Sequence, residues 1–225
     1  MKSSRRVLLA ALAVAVAGLT LSTVWLVRET SRQTVSGPAD FGPARAGADS
    51  RSLPSTPRAD VSADGPGRSP AVPAQVAGPR TLTLARLGVT APIDPVAVSD
   101  DGQVEVPDDP RRVGWYRFSP PPGSKQGSAV LVGHVDSDGR GLGVLVALND
   151  VRSGDQVLVE RADGSTVEYR VTARRAIDKS ALAGSGAFQR EGPAVLTLIT
   201  CTGAYLPAAG GYQQNLVVTA VEEGT

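Results

Sequence analysis

Glycine and proline supply 25 and 17 of the 225 residues, and punctuation that dense leaves little room for long packed helices. With aromatic residues at only 4%, it favours a mostly β core of short strands joined by tight turns. The net charge of +1 is unequally divided. Residues 1–80 carry ten Lys/Arg against five Asp/Glu, and residues 81–225 carry thirteen against seventeen. The part that folds is mildly acidic, so no nucleic-acid partner is expected.

Not all of the chain can join that core. Residues 7–27 contain no charge, with Lys2, Arg5 and Arg6 before them and Arg28 and Glu29 after. A helix of that length spans about 30 Å, the thickness of a bilayer's hydrocarbon region. Basic residues on the short side predict residues 1–6 in the cytoplasm, a single-pass transmembrane anchor at 7–27 in contact with the lipid bilayer, and everything beyond it outside. The competing reading is a cleaved signal peptide, with Ala15-Val16-Ala17 as its small-residue site. Either route puts the rest of the chain on the same side of the membrane.

Residues 31–80 hold eight of the seventeen prolines and one aromatic, Phe41, with no helical or strand periodicity. The span 28–80 reads as a disordered Pro/Gly/Ser-rich linker, and a coil of that length reaches roughly 40 Å. From Thr81 the pattern changes. Residues 81–87 alternate as a strand stopped by Gly88, residues 104–106 are extended, and residues 128–133 form an apolar strand leading into His134. Residues 143–148 read as one or two helical turns. Residues 155–161 and 165–173 read as a hairpin around Asp163-Gly164. Residues 194–200 form a buried strand ending at Cys201, and residues 216–221 a last one. Seven or eight short strands suit a closed or half-closed barrel, which removes sheet edges.

The chain has one Cys and one His, so no intrachain disulfide can form. Both residues follow apolar strands and are flanked by glycine, in Leu131-Val132-Gly133-His134 and Leu198-Ile199-Thr200-Cys201-Thr202-Gly203. Strand ends put side chains at a barrel rim while the strands fix their positions. A thiol needs a base or cation beside it to react as thiolate, and histidine serves best near neutral pH. Taken alone, the pattern leaves open a buried structural cysteine and a structural histidine 67 residues apart. Asp136 is a candidate to orient the imidazole, or a surface-turn residue. Thr200 is expected to pack or to bond to the backbone, and Trp115 and Tyr116 to line a groove or fill the core. With one His, one Cys and no carboxylate cluster, no zinc or calcium site and no cofactor is expected.

Val130-Leu131-Val132-Gly133-His134-Val135-Asp136-Ser137 resembles the histidine segment of the sortase family, and Leu196-Thr197-Leu198-Ile199-Thr200-Cys201 its cysteine segment. Val106-Pro107-Asp108-Asp109, Val113-Gly114-Trp115-Tyr116, Gly154-Asp155-Gln156-Val157 and the segment from Gly211 to Val218 follow in family order. They are most similar to class E and F sortases of high-GC Gram-positive bacteria. The resemblance implies a sortase-like eight-stranded β-barrel with one or two short helices as the catalytic domain, residues 81–225. It also implies a cysteine transpeptidase with Cys201 as nucleophile and His134 as acid and base. The substrates implied are sorting-signal peptides of LPxTG-like or LAxTG-like type, cleaved after Thr, and the acceptor is a cell-wall precursor amine or water. Leu53-Pro54-Ser55-Thr56-Pro57 resembles such a signal, or is chance in a Pro/Ser/Thr-rich stretch.

One departure stands out. Where the family carries an arginine about a dozen residues after its cysteine, this chain has Gln213 and Gln214. An amide donates without charge, and losing one oxyanion donor costs about 3 kcal/mol of transition-state stabilisation. Gln214 or Gln213 is the candidate oxyanion donor; Arg117 or Arg175 reaching in, or an impaired enzyme, are the alternatives. The last corresponds to a membrane-tethered barrel that binds peptides without cleaving them. L,D-transpeptidases and papain-like hydrolases also pair Cys with His, but the former need a Ser-x-Gly-Cys segment and the latter the opposite order.

Overall fold

The structure is a computed structural model that describes residues 39–43, 76–137 and 139–224. The anchor expected at residues 7–27 and the Leu53-Pro54-Ser55-Thr56-Pro57 motif lie outside the described residues. No helix among the described residues is long and apolar enough to cross a membrane.

The strands in chain order are β1 (Pro79–Leu84), β2 (Val89–Val96), β3 (Val113–Tyr116), β4 (Ser128–Val132), β5 (Asp136–Ser137), β6 (Gly141–Leu142), β7 (Gln156–Arg161), β8 (Thr166–Asp178), β9 (Val195–Leu206) and β10 (Gly211–Glu222). Eight of them close into a barrel in the order β1-β2-β3-β4-β9-β10-β8-β7, while β5 and β6 pair with each other. The expected closed eight-stranded barrel is therefore present. The helical turns expected at residues 143–148 are a 3-10 segment, Val144–Asp150, and the Asp163-Gly164 hairpin forms between β7 and β8, with Gly164 at φ 81°.

Strand alternation sorts the apolar residues into two layers. Leu82, Leu131, Val157, Leu196, Leu198 and Leu216 are fully buried in the barrel interior, with Leu145 and Leu148 of the 3-10 segment packed among them. On the opposite faces of β2, β4, β9 and β10, Val96, Val130, Val132, Ile199 and Val217 form a second cluster, covered by Leu182, Ala187 and Phe188 from the β8–β9 connection. This is why β4 and the first half of β9 read as continuous apolar runs: both faces are covered. Trp115 packs against the interior cluster and Tyr116 against the outer one, where its ring meets Phe118 and Phe188 edge-on at 5.6 and 5.9 Å.

Three elements differ from the sequence expectation. β2 contains Pro92 and Pro95, which argue against a strand. They are tolerated because β2 pairs through residues 89–92 with β1 and through residues 93–96 with β3, so each proline has a ladder on one side only. β9 does not end at Cys201 but runs to Leu206 beside β10, because Gly203 (φ 82°) sits at a bulge, not a stop: the register slips by one residue between the Thr202–Gln214 and Tyr205–Tyr212 pairs. The third difference lies within the expected linker. Residues 39–43 lie along β8, beyond the point where β7 stops pairing with it at Arg170. Phe41 and Arg174 exchange backbone hydrogen bonds of 2.9 Å each, and the Asp40 carboxylate accepts from Ala176 N–H at 2.8 Å. A Cβ on Gly42 would sit 2.2 Å from the Thr172 carbonyl oxygen, so only glycine allows this approach.

Candidate active site

Cys201 and His134 arrive at one place from adjacent parallel strands. β4 pairs with β9 in parallel, Val132 opposite Ile199, so His134 and Cys201, each two residues further on, come to the same end of the two strands. Two hydrogen bonds tie the strand ends together: Gly133 N–H donates to the Ile199 carbonyl at 3.1 Å, and the Thr200 hydroxyl donates to the Gly133 carbonyl at 2.8 Å. Thr200 thus bonds to the backbone, as expected from the sequence. Cys201 and His134 both line a cleft of about 330 Å3, together with Asp136, Lys179, Tyr205 and Tyr212.

His134 is fixed from two directions. Its Nε2 lies 3.0 Å from the Pro107 carbonyl oxygen. A carbonyl only accepts, so Nε2 carries the proton and Nδ1 keeps the lone pair that can take a proton from a thiol. The backbone of Gly143 presses against the His134 backbone so closely that a Cβ there would fall 2.1 Å from the His134 carbonyl oxygen. Pro107 lies in the Val106-Pro107-Asp108-Asp109 segment that resembles the family, and its carbonyl gives that segment a physical task.

Asp136 does not hydrogen-bond the imidazole. It begins β5, and its carboxylate accepts the Tyr212 hydroxyl at 2.5 Å, across the cleft from β10. That hydrogen bond, with burial added, pushes the Tyr212 hydroxyl up to about 12. Tyr212 also meets the Tyr205 ring edge-on at 5.0 Å, and the pair faces each other in the β9–β10 ladder.

The Cys201 thiol is half-buried, and burial is the largest influence on it, pushing its pKa above the ordinary thiol value. The charge of Lys179 pulls it down, and that of Asp136 pushes it up. On the neighbouring strand the residue opposite Cys201 is Asn215, whose buried Oδ1 has no hydrogen-bond partner.

The two glutamines are engaged elsewhere. Gln214 pairs with Thr202 and with Asp178, and its amide donates to the Asp178 carboxylate at 2.8 Å. Strand alternation sets it on the face opposite Asn215 and Cys201. Gln213 lies at the bulge and donates to the Gly211 carbonyl at 2.5 Å. Neither is among the residues lining the cleft, and neither are Arg117 and Arg175. Arg117 stacks over Phe118 at 5.0 Å, and Arg175 bonds the Gly42 carbonyl. The sequence reading missed Asn215 and Lys179. Cross-strand register, which decides both placements, cannot be counted along the chain past a bulge.

A thiol and an imidazole held in one cleft on the side of a closed barrel are the makings of a thiol-dependent acyl-transfer site. The family model described as Sortase domain matches residues 82–223, and the chain belongs to the sortase family. Among solved structures it is similar to sortase C1 of GBS Pilus Island 1, at 22% identity and a TM-score of 0.50. That match covers 65% of this chain and 64% of the other, so the chain spans less than two thirds of its length. Sortase C1 of Streptococcus agalactiae gives 22% and 0.50, over 65% of this chain and 67% of that one. Sortase A from Corynebacterium diphtheriae gives 18% and 0.48, over 67% and 62%. At these identities the likeness is one of fold. No curated protein sequence matches the chain.

Proposed function

We propose that the protein is a membrane-tethered cysteine transpeptidase acting on LPxTG-like or LAxTG-like sorting signals. The observation that carries this reading is that the chain's one thiol and one imidazole, 67 residues apart in sequence, line a single cleft. Cys201 gives its proton to His134 Nδ1, and Sγ adds to the carbonyl carbon of the signal's threonine. The adduct collapses by breaking the C–N bond, and the leaving amine takes the proton from His134. A cell-wall precursor amine, or water, then adds to the thioester, loses a proton to His134 and expels the thiolate. Residues 7–27 hold the domain on the outer side of the cell membrane, where such acceptors are found.

The test is incubation of the full chain in detergent with LPxTG-like and LAxTG-like peptides and an amine acceptor, followed by mass spectrometry. A thioester on Cys201 and an amine-linked product are expected; absence of both with every peptide overturns the reading. One observation favours a second reading, a barrel that binds such peptides without cleaving them: burial holds the thiol toward its neutral form. A vinyl-sulfone peptide discriminates, since a pure binder forms no selective adduct at Cys201. For the anchor, a mature N-terminus at Gly18 in the native membrane fraction removes it.

A further inference from the structure

We propose that Lys179 is the cation of this active site, its ammonium holding first the Cys201 thiolate and then the oxyanion formed when Sγ adds to the substrate carbonyl. The inference rests on the transpeptidase reading and adds to it a positive charge besides the transient His134 imidazolium. Half-burial and the Asp136 carboxylate both disfavour a thiolate at Cys201, and the tetrahedral adduct moves that same negative charge onto the carbonyl oxygen. Among the residues lining the cleft, Lys179 is the one lysine or arginine. The His134 imidazolium is a cation only between taking the thiol's proton and giving it to the leaving amine, whereas the lysine takes no part in that transfer.

The register explains how a residue two strands away comes to the cleft that holds the thiol. Cys201, Asn215 and Ile177 lie side by side across β9, β10 and β8, and their side chains share one face. Lys179 comes two residues after Ile177, at the start of the 3-10 turn Lys179–Ala181 that leads β8 off the sheet. It lines the cleft on the Cys201 side, at the end of the row. Asp178, between them, points the other way and takes the Gln214 amide. Among the described residues the Lys179 ammonium has no ion pair and no hydrogen bond to a protein acceptor. The other charged or titratable groups on the cleft are accounted for: His134 is the base, Asp136 and Tyr212 bond each other, and Tyr205 packs on Tyr212.

Iodoacetamide alkylation of Cys201 in the full chain, followed against pH, reads the coupling without any substrate, because only the thiolate reacts. Lys179→Met is expected to raise the alkylation midpoint by about one pH unit, and Asp136→Asn to lower it. Acylation by an LPxTG-like peptide should fall roughly 10- to 1000-fold in kcat/KM in Lys179→Met, mainly in kcat. Lys179→Arg should stay within about threefold of wild type, since the charge is kept. Equal melting temperatures for the Met and Arg variants separate this from a folding defect. An unchanged midpoint with wild-type acylation in Lys179→Met overturns the proposal, and a raised midpoint with unchanged acylation overturns its oxyanion half. If wild type acylates no peptide at all, the transpeptidase reading fails instead, and the midpoint alone decides whether Lys179 governs the thiol.

Discussion

Arg174 and Lys179 lie five residues apart, one inside β8 and one just past its end, and the two regions around them are built on opposite principles. Arg174 is 8% exposed. Its guanidinium donates to the carbonyls of Asn149, Val151 and Ala39 at 2.6, 3.0 and 2.7 Å and lies over the Phe41 ring at 5.2 Å. Lys179 is exposed, has no acceptor among the described residues, and lines the same cleft as the thiol, whose thiolate its charge favours. The hollow next to Arg174 is the larger of the two, about 440 Å3 against about 330 Å3. It holds no nucleophile, and Arg86 beside Arg174 is also bonded, clasping Asp155 at 2.6 Å. A buried cation bound to three backbone carbonyls is part of the scaffold, whereas one left free in a cleft with a nucleophile is available to a reaction.

The largest expected effects lie at the cleft. Cys201→Ala should abolish peptide turnover while leaving the melting temperature nearly unchanged, since a small residue replaces a half-buried thiol on an intact strand. His134→Ala should be similarly severe, because no second histidine can substitute. Turnover above about a tenth of wild type in either variant would remove that residue from the chemistry.

At the other region the outcome should invert. Arg174→Met leaves three backbone carbonyls without their donor and should cost about 3 kcal/mol in urea unfolding. Activity per folded molecule should stay at the wild-type level. A large loss of activity at unchanged stability would break the contrast between the two regions. Phe41→Ala is expected to cost about 1–2 kcal/mol and to speed amide hydrogen exchange along residues 172–176, because residues 39–43 cover that edge of β8.

A pH prediction sharpens the cleft side. The folded-state thiol is raised, so the thiolate fraction, and with it alkylation by iodoacetamide, should still be climbing at pH about 8.5, where an ordinary thiol is half ionised. A plateau already reached at neutral pH would mean that the cleft favours the thiolate more strongly than its burial allows. The smallest effect is expected at Gln214→Ala. Its amide is committed to Asp178 on the far face, so acylation should remain within about threefold of wild type. A loss of 10-fold or more would return Gln214 to the role the sequence suggested for it.

The barrel, and the strands that carry His134 and Cys201, were legible in the chain itself, and for local reasons. Gly/Pro punctuation excludes long helices, Asp163-Gly164 dictates a hairpin, and the apolar runs before His134 and Cys201 read as strands because both their faces are buried. Such signals are carried by neighbouring residues, and a one-dimensional string preserves neighbours. Tertiary structure alone decided the rest. β2 is a strand despite Pro92 and Pro95 because each half pairs on one side only. Phe41 belongs to the barrel because a bare edge of β8 exists for residues 39–43 to cover. Which side chain stands opposite Cys201 was settled by the bulge at Gly203, which moves the register by one residue and puts Asn215 there in place of Leu216. Lys179 comes to the cleft across two strand pairings. Register and strand order are properties of the closed sheet, set by which faces are buried together, and no stretch of sequence by itself contains them.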